Sequence, residues 1–220
     1  MASPRSPHVL VIAAGYTLGA ALYGRLPEQI PPSWTVAGLD ILPGRPMVAF
    51  LLPTAAAVTY FLLRGLCERH PVDAESAPHA LATYDAVMLR FIAFLMGVHA
   101  IVLAGLLGLL RGRGWAAQIV PVLLGLAMIG IGNLLPRTRP NLAIGIRTSR
   151  TLSDRTMWMH THRIAGYAAV GLGGIVLVAV IALPPPLGPA MILLVAPAAV
   201  LGVAVLVYRS REESCNVPQS

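Results

Sequence analysis

Lysine is absent: all sixteen cations in the 220 residues are arginine, and nine acids oppose them, for a formal net charge of +7. Charge of either sign is scarce, at 11% of the chain, against 56% apolar residues and a mean hydropathy of +0.74. A soluble domain keeps about a quarter of its residues charged, so this balance excludes a soluble enzyme. It also excludes a disordered tail, which needs low hydrophobicity. Two cysteines, Cys67 and Cys215, far apart in sequence, exclude a disulfide scaffold and suit a reducing compartment.

What the chain does have is long apolar runs broken by short polar patches. A hydrocarbon core of about 30 Å needs about 20 helical residues, and six stretches meet or approach that: 8–24, 46–63, 91–110, 116–135, 164–183 and 190–208. None contains Asp, Glu or Arg. The first reads as a span rather than a cleaved leader, because no small-x-small site precedes a polar start. With the N-terminus inside, twelve arginines fall in inner segments and four in outer loops. That bias places both termini in the cytoplasm. The expected fold is therefore all-α: a polytopic membrane protein of six transmembrane helices. It divides into a two-span unit (1–63), an inner connector (64–90), a four-span unit (91–210) and a tail (211–220).

Short returns at 111–115 and 183–189 make the spans they join antiparallel neighbours, and Pro53, Pro121 and Pro197 should bend the spans that contain them. Gly15 and Gly19 form a G-x-x-x-G, and Gly166, Gly171, Gly173 and Gly174 crowd the fifth span, a pattern for close helix packing within the chain. The oligomeric state is not readable from it.

The outer loop RLPEQIPPSWTVAGLDILPGRP carries five prolines and Trp34, an amphipathic ring suited to headgroup depth. In the inner connector, Cys67, His70, Asp73, Glu75 and His79 are metal-capable types, but their spacing matches no zinc or calcium pattern, so no metal is expected. Within the spans the polar residues are His99, Gln118 and Asn133. Without an intramembrane carboxylate or relay, a proton-coupled transporter is the weakest reading.

The second inner loop holds six arginines and one acid between residues 137 and 163. Beside membrane spans such a cluster reads as a cytosolic face meeting lipid headgroups, with no direct nucleic-acid binding. Pro136 and Pro140 stop the fourth helix. Thr151 with Asp154 has the form of a capping box, predicting a short interfacial helix from about Leu152 into span five, with Trp158 near the interface. His160 and His162, two apart, point to different sides of that helix and make a poor acid/base pair. Asn133 and Asn141 should satisfy backbone groups where the helix ends, and Arg147 and Arg163 should pair with phosphate, carboxylate or carbonyl groups.

The stretch GNLLPRTRPNLAIGIRTSRTLSDRTMWMHTHRIAG resembles the signature of the Sdp immunity (SdpI-like) family of bacterial membrane proteins. Fifteen positions agree in order within 35 residues: Gly132, Asn133, Pro136, Pro140, Asn141, Gly145, Ile146, Arg147, Thr148, Thr151, Leu152, Trp158, His162, Arg163 and Gly166. The outer loop is similar to a short N-terminal module that accompanies the family, through Leu26, Pro27, Pro31, Trp34 and Gly38, with Ser33 where that module often has His. The resemblance implies a non-enzymatic, cofactor-free protein that protects its cell from a secreted toxic peptide and recruits a cytoplasmic repressor. Pro27, Pro31, Trp34 and Gly38 would then shape the outer face. Asn133, Pro136, Asn141, Gly145, Arg147, Thr148, Thr151, Trp158, His162, Arg163 and Gly166 would build the inner one, among membrane lipids. The alternative is a membrane enzyme that modifies lipid or peptide with His162, Arg163 and Asn141.

Overall fold

The computed structural model of the chain describes residues 6–28, 44–69, 77–110, 115–141, 143–183 and 202. Every regular element among them is helical: α1 (Ser6–Leu22), α2 (Arg45–Arg69), α3 (Ala77–Leu106), α4 (Trp115–Gly132), α5 (Ser149–Ser153) and α6 (Arg155–Ala182), with 3-10 turns at Tyr23–Arg25 and Leu135–Arg137. Five helices, all but α5, are long and apolar enough to cross a membrane. Only 17–28% of each apolar stretch is buried in the bundle, so most of the apolar surface points outward, which suits lipid and not water. Of the expected sixth span, 190–208 with Pro197, only Gly202 lies among the described residues.

The helices alternate in direction. α1 packs on α2 and α3, α2 on α3, α3 on α4, and α4 most extensively on α6. The start of α1, the end of α2, the start of α3, the end of α4 and the start of α6 thus gather at one end, called here the loop end. A shared core marks it: Ile12, Tyr60, Cys67, Tyr84, Val87 and Met88 with Leu134 and Ala143. At the far end Leu26, just past α1, is buried with Val48, Ala49 and Leu103.

Glycine sets the helix separations. A Cβ on Gly173 would lie 2.7 Å from the Gly125 carbonyl oxygen, and one on Gly166 2.7 Å from that of Gly132. The two contacts are seven residues apart on each helix, two turns, so α4 and α6 meet backbone to backbone along one seam. Gly15 faces Met96 and Pro53, and Gly19 faces the Ala49 carbonyl, so the G-x-x-x-G is spent on packing within the chain. Pro53 and Pro121 sit inside α2 and α4 as expected.

Two boundaries differ from expectation. α2 continues to Arg69 and α3 begins at Ala77, so much of the expected solvated connector is helix: nothing between His79 and Arg90 breaks one, and Leu81, Tyr84, Val87 and Met88 give it a face to bury. α3 also stops at Leu106, short of 110, where Gly108 takes φ +69° and the Leu109 and Gly108 amides bond the Ala104 and Gly105 carbonyls. That arrangement is a Schellman stop, which glycine makes free of strain.

Gly173→Leu should therefore cost about 1–3 kcal/mol through overpacking, whereas Gly171→Leu, with nothing within 4 Å of its Cβ position, should leave thermal unfolding in detergent unchanged. Equal shifts in the two variants would contradict the seam.

Candidate functional site

At the loop end the described residues between α4 and α6 fold into a small hydrogen-bonded segment, called here the knot. Asn141 begins it. Its Oδ1 accepts the Ala143 and Ile144 amides at 2.9 and 2.7 Å, and its Nδ2 donates to the Arg139 carbonyl at 2.8 Å. One carboxamide thus satisfies three backbone groups in a turn that has no helix to do so.

Gly145 follows at φ +115°, and a Cβ there would run into His162 Nε2. The next amide, Ile146 N–H, donates to that Nε2 at 3.0 Å, and His162 Nδ1 lies 2.9 Å from the Trp158 carbonyl. These partners assign the tautomer: the proton sits on Nδ1, and Nε2 accepts. The ring is 0% exposed and stacks on Trp158 with centroids 4.0 Å apart. The Trp158 indole N–H donates to Thr138 Oγ1 at 3.1 Å, and that hydroxyl donates to the Leu135 carbonyl at 2.7 Å.

The Ile146 carbonyl accepts the Thr151 hydroxyl at 2.8 Å. Thr151 is also the third residue of α5, whose cap is Thr148: the Thr148 hydroxyl accepts the Thr151 amide, and the Thr151 hydroxyl accepts the Thr148 amide. The capping box is therefore Thr148–Thr151, not Thr151–Asp154. Thr151 is already committed to the loop, so the cap falls one helical turn earlier. Asp154 instead ends α5 and starts α6, its Oδ1 accepting the Thr156 and Met157 amides. The break at Asp154 leaves α5 only five residues long, and Trp158, expected near the interface, is buried under the loop.

Expected inner-face residues thus divide in two. Pro136, Asn141, Gly145, Thr148, Thr151, Trp158, His162 and Gly166 are consumed in holding the knot to α4 and α6, with Gly166 set against Pro136 as well as Gly132. Asn133, Arg147 and Arg163 are exposed. Asn133 caps nothing among the described residues, contrary to expectation, because the 3-10 turn after it supplies the bonds by backbone alone. His160 is exposed and His162 buried, so the two do diverge. His162, Arg163 and Asn141 do not converge on an open cleft: the first and last are buried, and Arg163 points away.

A second polar cluster beneath the knot was not anticipated. Arg64 on α2 donates to Glu68 Oε1 at 2.8 Å and to Asp85 Oδ1 on α3 at 2.6 Å, with its guanidinium 5.9 Å from the Tyr84 ring. His8 of α1 stacks on Tyr60 at 4.8 Å and places Nε2 2.8 Å from the Asp85 carbonyl; the Tyr84 hydroxyl donates to the Tyr60 carbonyl. Three helices are tied at one level. The apolar stripe from Leu81 to Met88 is the signal that puts Asp85 on a helix facing Arg64.

Elsewhere, His99 is 0% exposed, its imidazole approaching the Gly15 backbone of α1 without full hydrogen-bond geometry. Gln118 is half-buried in α4. Pro27 is half-buried, and beside it Glu28 reaches Arg45 at 3.5 Å. Pro31, Ser33, Trp34 and Gly38 lie outside the described residues, as do His70, Asp73 and Glu75. Cys67 is a buried free thiol, and among the described residues no three His, Cys, Asp or Glu side chains gather as a metal site.

The knot yields a sharp contrast. Thr138→Val, which strands the Trp158 indole N–H, should destabilise by about 1–3 kcal/mol and open the loop to protease between 139 and 150. Arg163→Gln should do neither. Equal protease resistance in both variants would contradict the hydrogen-bond assignment.

Residues 137–209 match the sequence model of the SdpI/YfhL protein family. The match begins at Arg137, so it takes in the knot and α6 and leaves Gly132, Asn133 and Pro136 just ahead of it. Over 173 residues the chain is 25% identical to Immunity protein SdpI of Bacillus subtilis (strain 168), covering 77% of this chain and 78% of that one. No solved structure matches it. Through the segment that builds the knot, the chain is similar to the SdpI/YfhL protein family.

Proposed function

We propose that the chain is an immunity protein of the bacterial cytoplasmic membrane, protecting its cell against a secreted antimicrobial peptide. The observation that carries this reading is the similarity to an immunity protein along three quarters of both chains, not merely within the knot. In this reading six spans leave both termini in the cytosol, in keeping with the arginine bias, and the Pro/Trp loop between α1 and α2 meets the peptide.

The loop end then faces the cytosol. A knot whose polar groups are largely spent on one another presents a fixed surface on which Arg147 is exposed, and this surface recruits a cytoplasmic repressor. Peptide sensing at one end and recruitment at the other are coupled through the bundle, since the shared core joins α1, α2 and α3 to Ala143 of the loop. The rival, a lipid- or peptide-modifying enzyme, is weaker: both His162 nitrogens are engaged, and an imidazole so held neither takes nor gives a proton to substrate.

Expression in a peptide-sensitive bacterium, followed by challenge and recording of membrane potential, tests immunity. Cells carrying the chain should keep their potential and survive. Depolarisation equal to that of cells without it, with the protein present in the membrane, would contradict the proposal.

A further inference from the structure

Three arginines at the loop end, Arg64, Arg90 and Arg163, lie at nearly one depth, and they differ in whether the protein neutralises them. Arg64 is nineteen residues from the far end of α2 at Arg45, Arg163 nineteen from that of α6 at Ala182, and Arg90 sixteen from that of α3 at Leu106. At 1.5 Å per residue these are roughly 28, 28 and 24 Å, close to the hydrocarbon thickness of about 30 Å. All three therefore reach the same bilayer boundary. Arg64 points inward and is neutralised by Asp85 and Glu68. Arg90 and Arg163 point outward, and neither makes an ion pair with a described residue.

Their surroundings fix where they reach. Along the exposed face of α6 the order is Arg163, Tyr167, Ile175, Val178, Ile181: a cation, then an interfacial ring, then bare aliphatic surface, with Trp158, His162, Gly166 and Gly173 buried on the opposite side. That order crosses from headgroup to acyl chain. Arg90 lies across α4 at Gly130, where a Cβ would be 3.1 Å from its Cδ and 3.3 Å from its Nε. Its Nη1 donates to the Ala86 carbonyl at 2.8 Å, which aims the guanidinium away from the hydrocarbon. Arg137 stands exposed in the turn that follows α4.

We propose that Arg90, Arg137 and Arg163 form a girdle that binds the phosphates of anionic phospholipid in the leaflet at the loop end. A guanidinium fork matches a phosphate in two hydrogen bonds, and the one acid in the loop, Asp154, is occupied at the start of α6. The girdle does not depend on immunity, and it holds the knot at a fixed height over the membrane.

The test uses the full chain reconstituted in phosphatidylcholine vesicles, with spin-labelled phosphatidylglycerol or spin-labelled phosphatidylcholine as the probe. The protein-bound fraction of the anionic probe should exceed that of the neutral one by about fivefold at low salt and fall as salt rises. Arg90→Gln and Arg163→Gln should each lower the preference, whereas Arg90→Lys and Arg163→Lys keep most of it. Arg155→Gln, two helical turns beyond Arg163 on the aqueous side, should not change it. No preference in the unmodified protein overturns the girdle, and that result needs no variant to fold. Equal losses in all three glutamine variants would also overturn it, since a diffuse field and not a site would be acting.

Discussion

An imidazole removed from water loses free energy for each nitrogen left without a partner, and His162 places both, reaching one backbone group on its own helix and one on the loop above it. Leaving either without a partner would cost about 1–3 kcal/mol, so the bond to Ile146 N–H fixes the loop's height over α6. The rest of the knot follows from this contact. Gly145 must lack a Cβ because the ring occupies that space. Trp158 covers the ring and needs Thr138 for its own N–H, while the Ile146 carbonyl, pinned by Thr151, brings the start of α5 into place. The Gly132–Gly166 approach then presses α4 and α6 together directly beneath. A short arginine-dense segment with little apolar content is thereby made rigid without an apolar core of its own.

Electrostatics follows from the same economy. The loop spends the Asn141 carboxamide, the Thr148 and Thr151 hydroxyls and the Asp154 carboxylate on its own backbone, while the side chains of Arg137, Arg147 and Arg163 are exposed. Arg64, between α2 and α3, is instead buried and held by two carboxylates and an aromatic ring. A buried charge is tolerable only with such partners, and Asp85 also carries the backbone carbonyl that receives His8. The tie therefore joins α1, α2 and α3 just below the knot.

Much of this was legible in the sequence, for reasons that differ by element. The spans were read from apolar runs because lipid allows few alternatives, and the glycine seam from small residues at helical spacing. The signature between Gly132 and Gly166 pointed to the SdpI-like family, whose sequence model matches residues 137–209. What it did not reveal is that most of its polar members face one another: Trp158, His162 and Thr151 read as an exposed inner face, since motif spacing along a chain carries no information about a loop folding back onto the following helix. The capping box was misplaced by one turn because Thr148, Thr151 and Asp154 repeat the same three-residue spacing, and only the tertiary bond from Thr151 to Ile146 decides which threonine leads. The Arg64–Asp85 pair was missed because polar residues near Cys67 and His79 made a helical segment look like a connector.

The central claim is that the knot and its arginines lie on the cytosolic side of a multi-span bundle. It is tested most directly by labelling intact cells with a membrane-impermeant maleimide, after Cys67 and Cys215 are replaced by serine and a single cysteine is placed at Arg155 or at Leu109, both exposed and at opposite ends. The cysteine at 109 should be labelled in intact cells, and that at 155 only after permeabilisation. Labelling of position 155 from outside, with 109 protected, would contradict the account.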